Sequence, residues 1–251
     1  MGSRLCARRV VEDECPRRET DAVIEVIIVC EGPTEERFVW NVLAPTFWPR
    51  NQNIRPRLIP TSRYSRGGAL SRDRILRYLR NTLRERADVY VTTFFDLYGL
   101  KPDFPGIPEA AGITDPILRA TTIEARFAEA VVSEAQCRED RFVPHIQPYE
   151  FEALLFSDVN RFPEVQPQWQ AYVTGLESAR NLVTSPEHIN DGYETHPSAR
   201  LKTLLRPRYE KVLHGAAIAA RIGLDRIRAD CLHFANWLDR IENLSPLVDE
   251  A

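Results

Sequence analysis

Val23–Cys30, VIEVIIVC, runs directly into Glu31-Gly32-Pro33-Thr34-Glu35-Glu36-Arg37-Phe38, and this junction decides the fold. The first eight residues are β-branched and nearly all apolar, which suits a strand buried on both faces. The strand stops at Gly32-Pro33. Thr34 offers an N-cap for a helix whose one face carries Phe38, Val39, Val42 and Leu43.

The alternation continues downstream. Ile54–Pro60 reads as a second strand, weakened by Pro56, and residues 61–70 (TSRYSRGGAL) read as a loop. Ser71 caps a helix with Ile75, Leu76, Leu79 and Leu83 on its apolar face. Asp88–Asp96, DVYVTTFFD, is the third strand, followed by a Pro/Gly-rich loop through Ile113. Thr121 or Thr122 opens a helix with Ile123, Phe127 and Val131 spaced by four. Phe142–Pro148 is a fourth strand, and residues 150–157, EFEALLFS, turn helical at once. Strand and helix in alternation predict an α/β fold with a parallel sheet and right-handed crossovers. Residues 1–20, charged and aperiodic, read as a disordered arm, residues 21–160 as the α/β core, and residues 161–251 as a mainly helical region docked on it. In that region Ile227, Cys231, Phe234, Leu238 and Ile241 recur at intervals of 4, 3, 4 and 3, one face of a helix over Leu224–Leu244.

The 251 residues carry 43% hydrophobic and 27% charged side chains and a net charge of −3, which excludes a uniformly basic coat but not a local basic patch. Cys6, Cys15, Cys30, Cys137 and Cys231 form no C-x-x-C pair, so zinc and redox motifs find no support there. The odd cysteine count and the lack of a signal peptide or spanning apolar run point to a cytoplasmic protein with no membrane association.

Ligands of open parallel sheets bind beyond the carboxyl ends of the strands. Glu31 follows the first strand, Asp96 ends the third, and Glu150 and Glu152 follow the fourth. Crowded carboxylates repel unless a cation neutralises them, and hard oxygen ligands suit Mg²⁺. Each has a plainer reading: Glu31 beside a helix N-terminus, Asp96 in a turn, Glu150 as a helix-start charge. Glu152, between Phe151 and Ala153, is less comfortable as a surface group and is preferred over Glu150 as a ligand.

EGPTEERFV, TTFFDLYGL, KPDFPG, QPYEFEALLFSD, HPSARLK and IGLDRIRADCLHFANWLDRIE resemble the DUF4276 family, over roughly residues 24–242. IIVCEGPTEERF also resembles the opening motif of TOPRIM domains, found in topoisomerases, primases and OLD-type nucleases. That resemblance implies a Rossmann-like TOPRIM-type sheet flanked by helices. It also implies that Glu31 is a general acid/base or metal ligand and that Asp96 is the first Asp of an Asp-x-Asp motif. Tyr98 stands where the second Asp belongs, so Asp103 and Glu152 become candidate substitutes as ligands of Mg²⁺ or Mn²⁺.

Arg63 and Arg66 in the Gly-containing loop, and Arg200 and Lys202 in HPSARLK, are candidates to hold substrate phosphates, or else ordinary solvated residues. The expectation is a Mg²⁺-dependent nuclease with nucleic acid as partner. The same resemblance implies a role beside an ATPase in phage defence, and this chain lacks a G-x-x-x-x-G-K-[ST] loop of its own. The alternative is a non-catalytic module that binds nucleic acid or the ATPase.

Overall fold

The computed structural model describes residues 22–60, 71–189 and 196–247. The expected arm and the loop bearing Arg63 and Arg66 lie outside the described residues. Three long strands run parallel: β1 (Ile24–Cys30), β2 (Gln52–Leu58) and β3 (Val89–Asp96). The fourth expected strand is two short ones, β4 (Phe142–Val143) and β5 (Ile146–Gln147), both parallel to β3, because Pro144 cannot donate to a ladder. The order β2-β1-β3-β4 places Pro56 on an edge strand, where a missing N–H is tolerated.

Side chains alternate across the sheet as the pleat requires. Val26, Ile28 and Cys30 of β1 and Tyr90 and Phe94 of β3 face one core, while Ile27, Val29, Val91 and Phe95 face another. The second core is roofed by α3 (Arg72–Glu85) and α4 (Pro116–Ala135). Helix α4 starts earlier than Thr121: Asp115 accepts from the Leu118 N–H and Pro116 sits at the first helical position. On the opposite face the helix after β1 begins at Pro33, with Gly32 rather than Thr34 at its cap. It runs as α1 (Pro33–Phe38), a π-helical turn (Val39–Leu43) and α2 (Ala44–Phe47).

Residues 151–157 form a 3₁₀ helix. The chain then forms α5 (Phe162–Val165) and α6 (Val173–Arg180). Then come α7 (Pro197–Leu204), α8 (Lys211–Ile222), α9 (Leu224–Asp230) and α10 (Leu232–Glu242). The helix expected over Leu224–Leu244 is thus broken at Cys231, yet its whole apolar face is buried. The buried carboxylate of Glu187 anchors the start of α10, accepting from the His233 and Phe234 N–H groups at 2.9 and 3.0 Å.

The first core cannot close without these late helices. Trp237 stacks on Phe94 with centroids 5.4 Å apart and donates Nε1–H to Thr92 Oγ1 at 2.8 Å. Residues 21–160 expressed alone should therefore be insoluble, or a molten species that binds a hydrophobic dye and lacks near-UV circular dichroism. A cooperative urea transition of that fragment would refute the docking.

Candidate active site

Parallel pairing brings the acids together. Cys30 lies opposite Phe94 and Asp96 opposite Gln147, so the segments leaving β1, β3 and β5 emerge side by side at one edge. Tyr149 then adopts φ 60°, a left-handed conformation that costs a non-glycine residue about 1 kcal/mol. The turn redirects the chain into the 3₁₀ helix. The Phe151 N–H donates to Asp96 Oδ1 at 2.8 Å, which draws Glu150 and Glu152 to Asp96. One oxygen from each of Asp96, Glu150 and Glu152 falls within 4.8 Å of the others. Glu31 joins them. Its Oε2 is buried and has no hydrogen-bond partner among the described residues. Gly99 closes over it, and a Cβ there would overlap the Glu31 carboxylate.

Three further groups complete the cluster. Glu35, buried at the third position of α1, accepts from the Gly32 N–H at 3.0 Å. Lys211, at the start of α8, places Nζ 2.9 Å from Glu152 Oε2 and 3.2 Å from Glu150 Oε1. The Tyr209 hydroxyl donates to Glu152 Oε1 at 3.2 Å. Glu150 is further held by Ser198, whose N–H donates to Oε2 at 2.9 Å, and by His196 Nδ1, also at 2.9 Å. Gly215 lets α8 approach this closely, since a Cβ would lie 3.0 Å from both Phe151 and Thr34.

The electrostatics follow from burial. Desolvation pushes Glu31 up to about 7 against the pull of Lys211. Glu35 rises to about 8 through burial, reinforced by Glu152 and Glu31. Asp96 and Glu152 are also raised, chiefly by desolvation. Burial works the same way on Glu150, but Lys211, the Ser198 N–H and His196 outweigh it and hold its pKa below the ordinary value. Burial opposes charge on Lys211, yet Glu152, Asp96 and Glu150 win and raise it. Among the described residues the edge therefore sets the Lys211 ammonium beside Glu150, which gives up its proton readily, and beside Glu31, Glu35, Asp96 and Glu152, which burial pushes toward their protonated forms unless another cation replaces the proton. An all-oxygen donor set with one orphaned carboxylate oxygen fits a hard divalent cation such as Mg²⁺ or Mn²⁺.

Of the residues singled out in the sequence, Asp96 and Glu152 meet here, with Glu31 near enough to act on Asp96 through its charge. Asp103 does not: it is exposed and lines a separate cavity of about 430 Å³ with Arg72 and Arg126. Arg200 and Lys202 ride on α7, the helix whose start grips Glu150, and both are half-buried. Glu150 is more than a helix-start charge, since its carboxylate joins the cluster. Sequence reasoning passed over Glu35, Tyr209 and Lys211. Glu35 had a signal, the acid three residues after a cap. The other two had none, lying 57 and 59 residues from Glu152.

Among the described residues, no helix is long and apolar enough to cross a membrane. Neither a curated protein nor a solved structure matches the chain. The sequence model described as Domain of unknown function (DUF4276) matches residues 30–242, a span that takes in every member of the acid cluster from Glu31 to Lys211. The chain belongs to that family.

Proposed function

We propose that the protein is a divalent-cation-dependent phosphodiesterase acting on nucleic acid, of TOPRIM-like descent. The observation that carries the reading is the convergence of Asp96, Glu150 and Glu152 at the carboxyl edge, with Glu31 beside them and its Oε2 buried without a hydrogen-bond partner among the described residues. Mg²⁺ or Mn²⁺ held by Glu31, Asp96 and Glu152 would polarise a phosphoryl oxygen and lower the pKa of bound water. The protein's own groups do the rest. Lys211 offers fixed positive charge to a phosphate entering the edge. Tyr209 and Lys211 fix the Glu152 carboxylate, and Ser198 and His196 fix Glu150. Arg200 and Lys202 on α7 are proposed as phosphate contacts, as are Arg63 and Arg66 on the sequence alone. An ATPase partner, a role in phage defence and a cytoplasmic setting remain part of this proposal.

One observation favours the non-catalytic alternative: Tyr98 replaces a second acid and packs on Tyr149, with ring centroids 5.5 Å apart. Cleavage of single- and double-stranded DNA and RNA by the purified chain, in Mg²⁺, Mn²⁺ and EDTA, separates the two. Cutting should need the cation and fall about 10²-fold or more in Asp96→Asn. Arg200→Ala should raise KM in a salt-dependent way. Equal nucleic-acid binding in EDTA with no cutting in any cation would leave the binding module standing.

A further inference from the structure

A second polar cluster lies at the β4–β5 edge of the sheet, away from the acids. Glu124 comes from α4, His145 from the break between β4 and β5, and His233 from the first turn of α10. All three are buried, His145 completely. One ligand atom from each lies within 4.8 Å of the other two. Glu124 Oε1 is 2.9 Å from His233 Nε2 and 3.6 Å from His145 Nδ1.

The hydrogen bonds around His145 fix which of its nitrogens is free. Its Nε2 lies 3.3 Å from Gln147 Oε1, an atom that only accepts, so Nε2 carries the proton. Nδ1 is then a bare lone pair, buried, without a hydrogen-bond partner among the described residues, and turned toward a carboxylate oxygen. Two lone pairs facing each other repel unless a positive centre lies between them. An imidazole whose second nitrogen donates to a carbonyl oxygen has the bonding expected of a metal-bound histidine. The cluster is also rigid. His145 stacks on Trp237 at 4.4 Å, the His233 N–H is fixed by Glu187, and the Ile146 N–H holds Glu124 Oε1 at 2.7 Å. A cavity of about 160 Å³ adjoins the three residues, with exposed Thr121, Asn236 and Arg240 at its mouth.

We infer that Glu124, His145 and His233 form a binding site for a borderline divalent transition metal, Zn²⁺ foremost, with its remaining position open to the cavity. Two imidazoles and one carboxylate suit Zn²⁺ and not Mg²⁺, so the site is chemically distinct from the acid cluster. A metal there joins the two helical layers around the sheet edge, α4 on one face and α10 on the other.

The test uses the whole chain, stripped with chelator and reloaded. Zn²⁺ should bind at one equivalent and raise the Tm, and Co²⁺ should give a visible ligand-field band. His233→Gln should lose the band. Gln147→Leu should weaken Zn²⁺ binding about tenfold or more. The double variant Glu31→Gln/Asp96→Asn should keep both band and affinity. X-ray absorption of the Zn²⁺-loaded wild type should show two imidazoles, which decides the matter even if His233→Gln does not fold. A spectrum without imidazole scattering, no binding at one equivalent, or loss of binding in the acid-site double variant would overturn the inference.

Discussion

Glu31→Gln should yield a protein more stable than the wild type and unable to cut. A buried carboxyl whose pKa rises from 4.5 to about 7 on folding binds its proton more tightly in the folded state. Wild-type stability therefore falls as pH climbs from the unfolded value through 7. The deficit above that range is on the order of 3 kcal/mol for a shift of this size. Glutamine is neutral at every pH and fills nearly the same volume. In EDTA at pH 8 the variant should therefore unfold at higher urea, and the gap should close toward pH 5. Divalent cation should stabilise the wild type more than the variant, because only the wild type offers the charge. Cleavage should drop about 10²- to 10⁴-fold, the range for losing a positioned acid–base group. If Glu31 were only a helix-start charge, the variant would be less stable and still active, and that pair of results would end the proposal.

Lys211→Met should have the opposite effect on stability. The ammonium is fully charged well beyond neutrality in the folded state, since its pKa is raised. Its stabilisation is therefore wholly present at pH 7 and disappears only in strong alkali. Removing one partner of a buried ion pair costs about 3–5 kcal/mol, and the 30% exposure of the lysine side chain argues for the lower end. Methionine keeps the stem and drops the charge, so the loss measures electrostatics rather than packing. At pH 5 protons on the neighbouring carboxyls should replace part of what Lys211 supplied, and the difference should shrink. Mg²⁺ at neutral pH should do the same. Urea denaturation at the two pH values, with and without the cation, reads both effects. A variant as stable as the wild type in EDTA at pH 8 would mean that protons alone balance the carboxylates.

How much of this was legible in the sequence depended on whether the signal was local. The β1 run and its abrupt stop at Gly32-Pro33 gave the buried parallel strand, and the edge rule then pointed to Glu31 and Asp96. Glu152 stood out because a charge inside Phe151–Ser157 had nowhere to reach water. Asp103 was drawn in by nearness along the chain, but the loop after Gly99 carries it to a different cavity. The early start of α4 was written in Asp115-Pro116 and was masked by the proline-rich stretch before it. Lys211 and the Glu124–His145–His233 cluster join residues up to 109 positions apart, and no short window carries such a pairing.

The order of the parts along the chain has a consequence for synthesis. Glu152 precedes its lysine by 59 residues. A ribosome adding about 5–20 residues per second takes several seconds to cover that interval. During that time the sheet edge already carries its carboxylates but has neither the ammonium that balances them nor the helices that bury them. A product released before residue 211 is left in that state. Such a product lacks both the lysine countercharge and the helices that share the first core, and should be less stable than the whole chain.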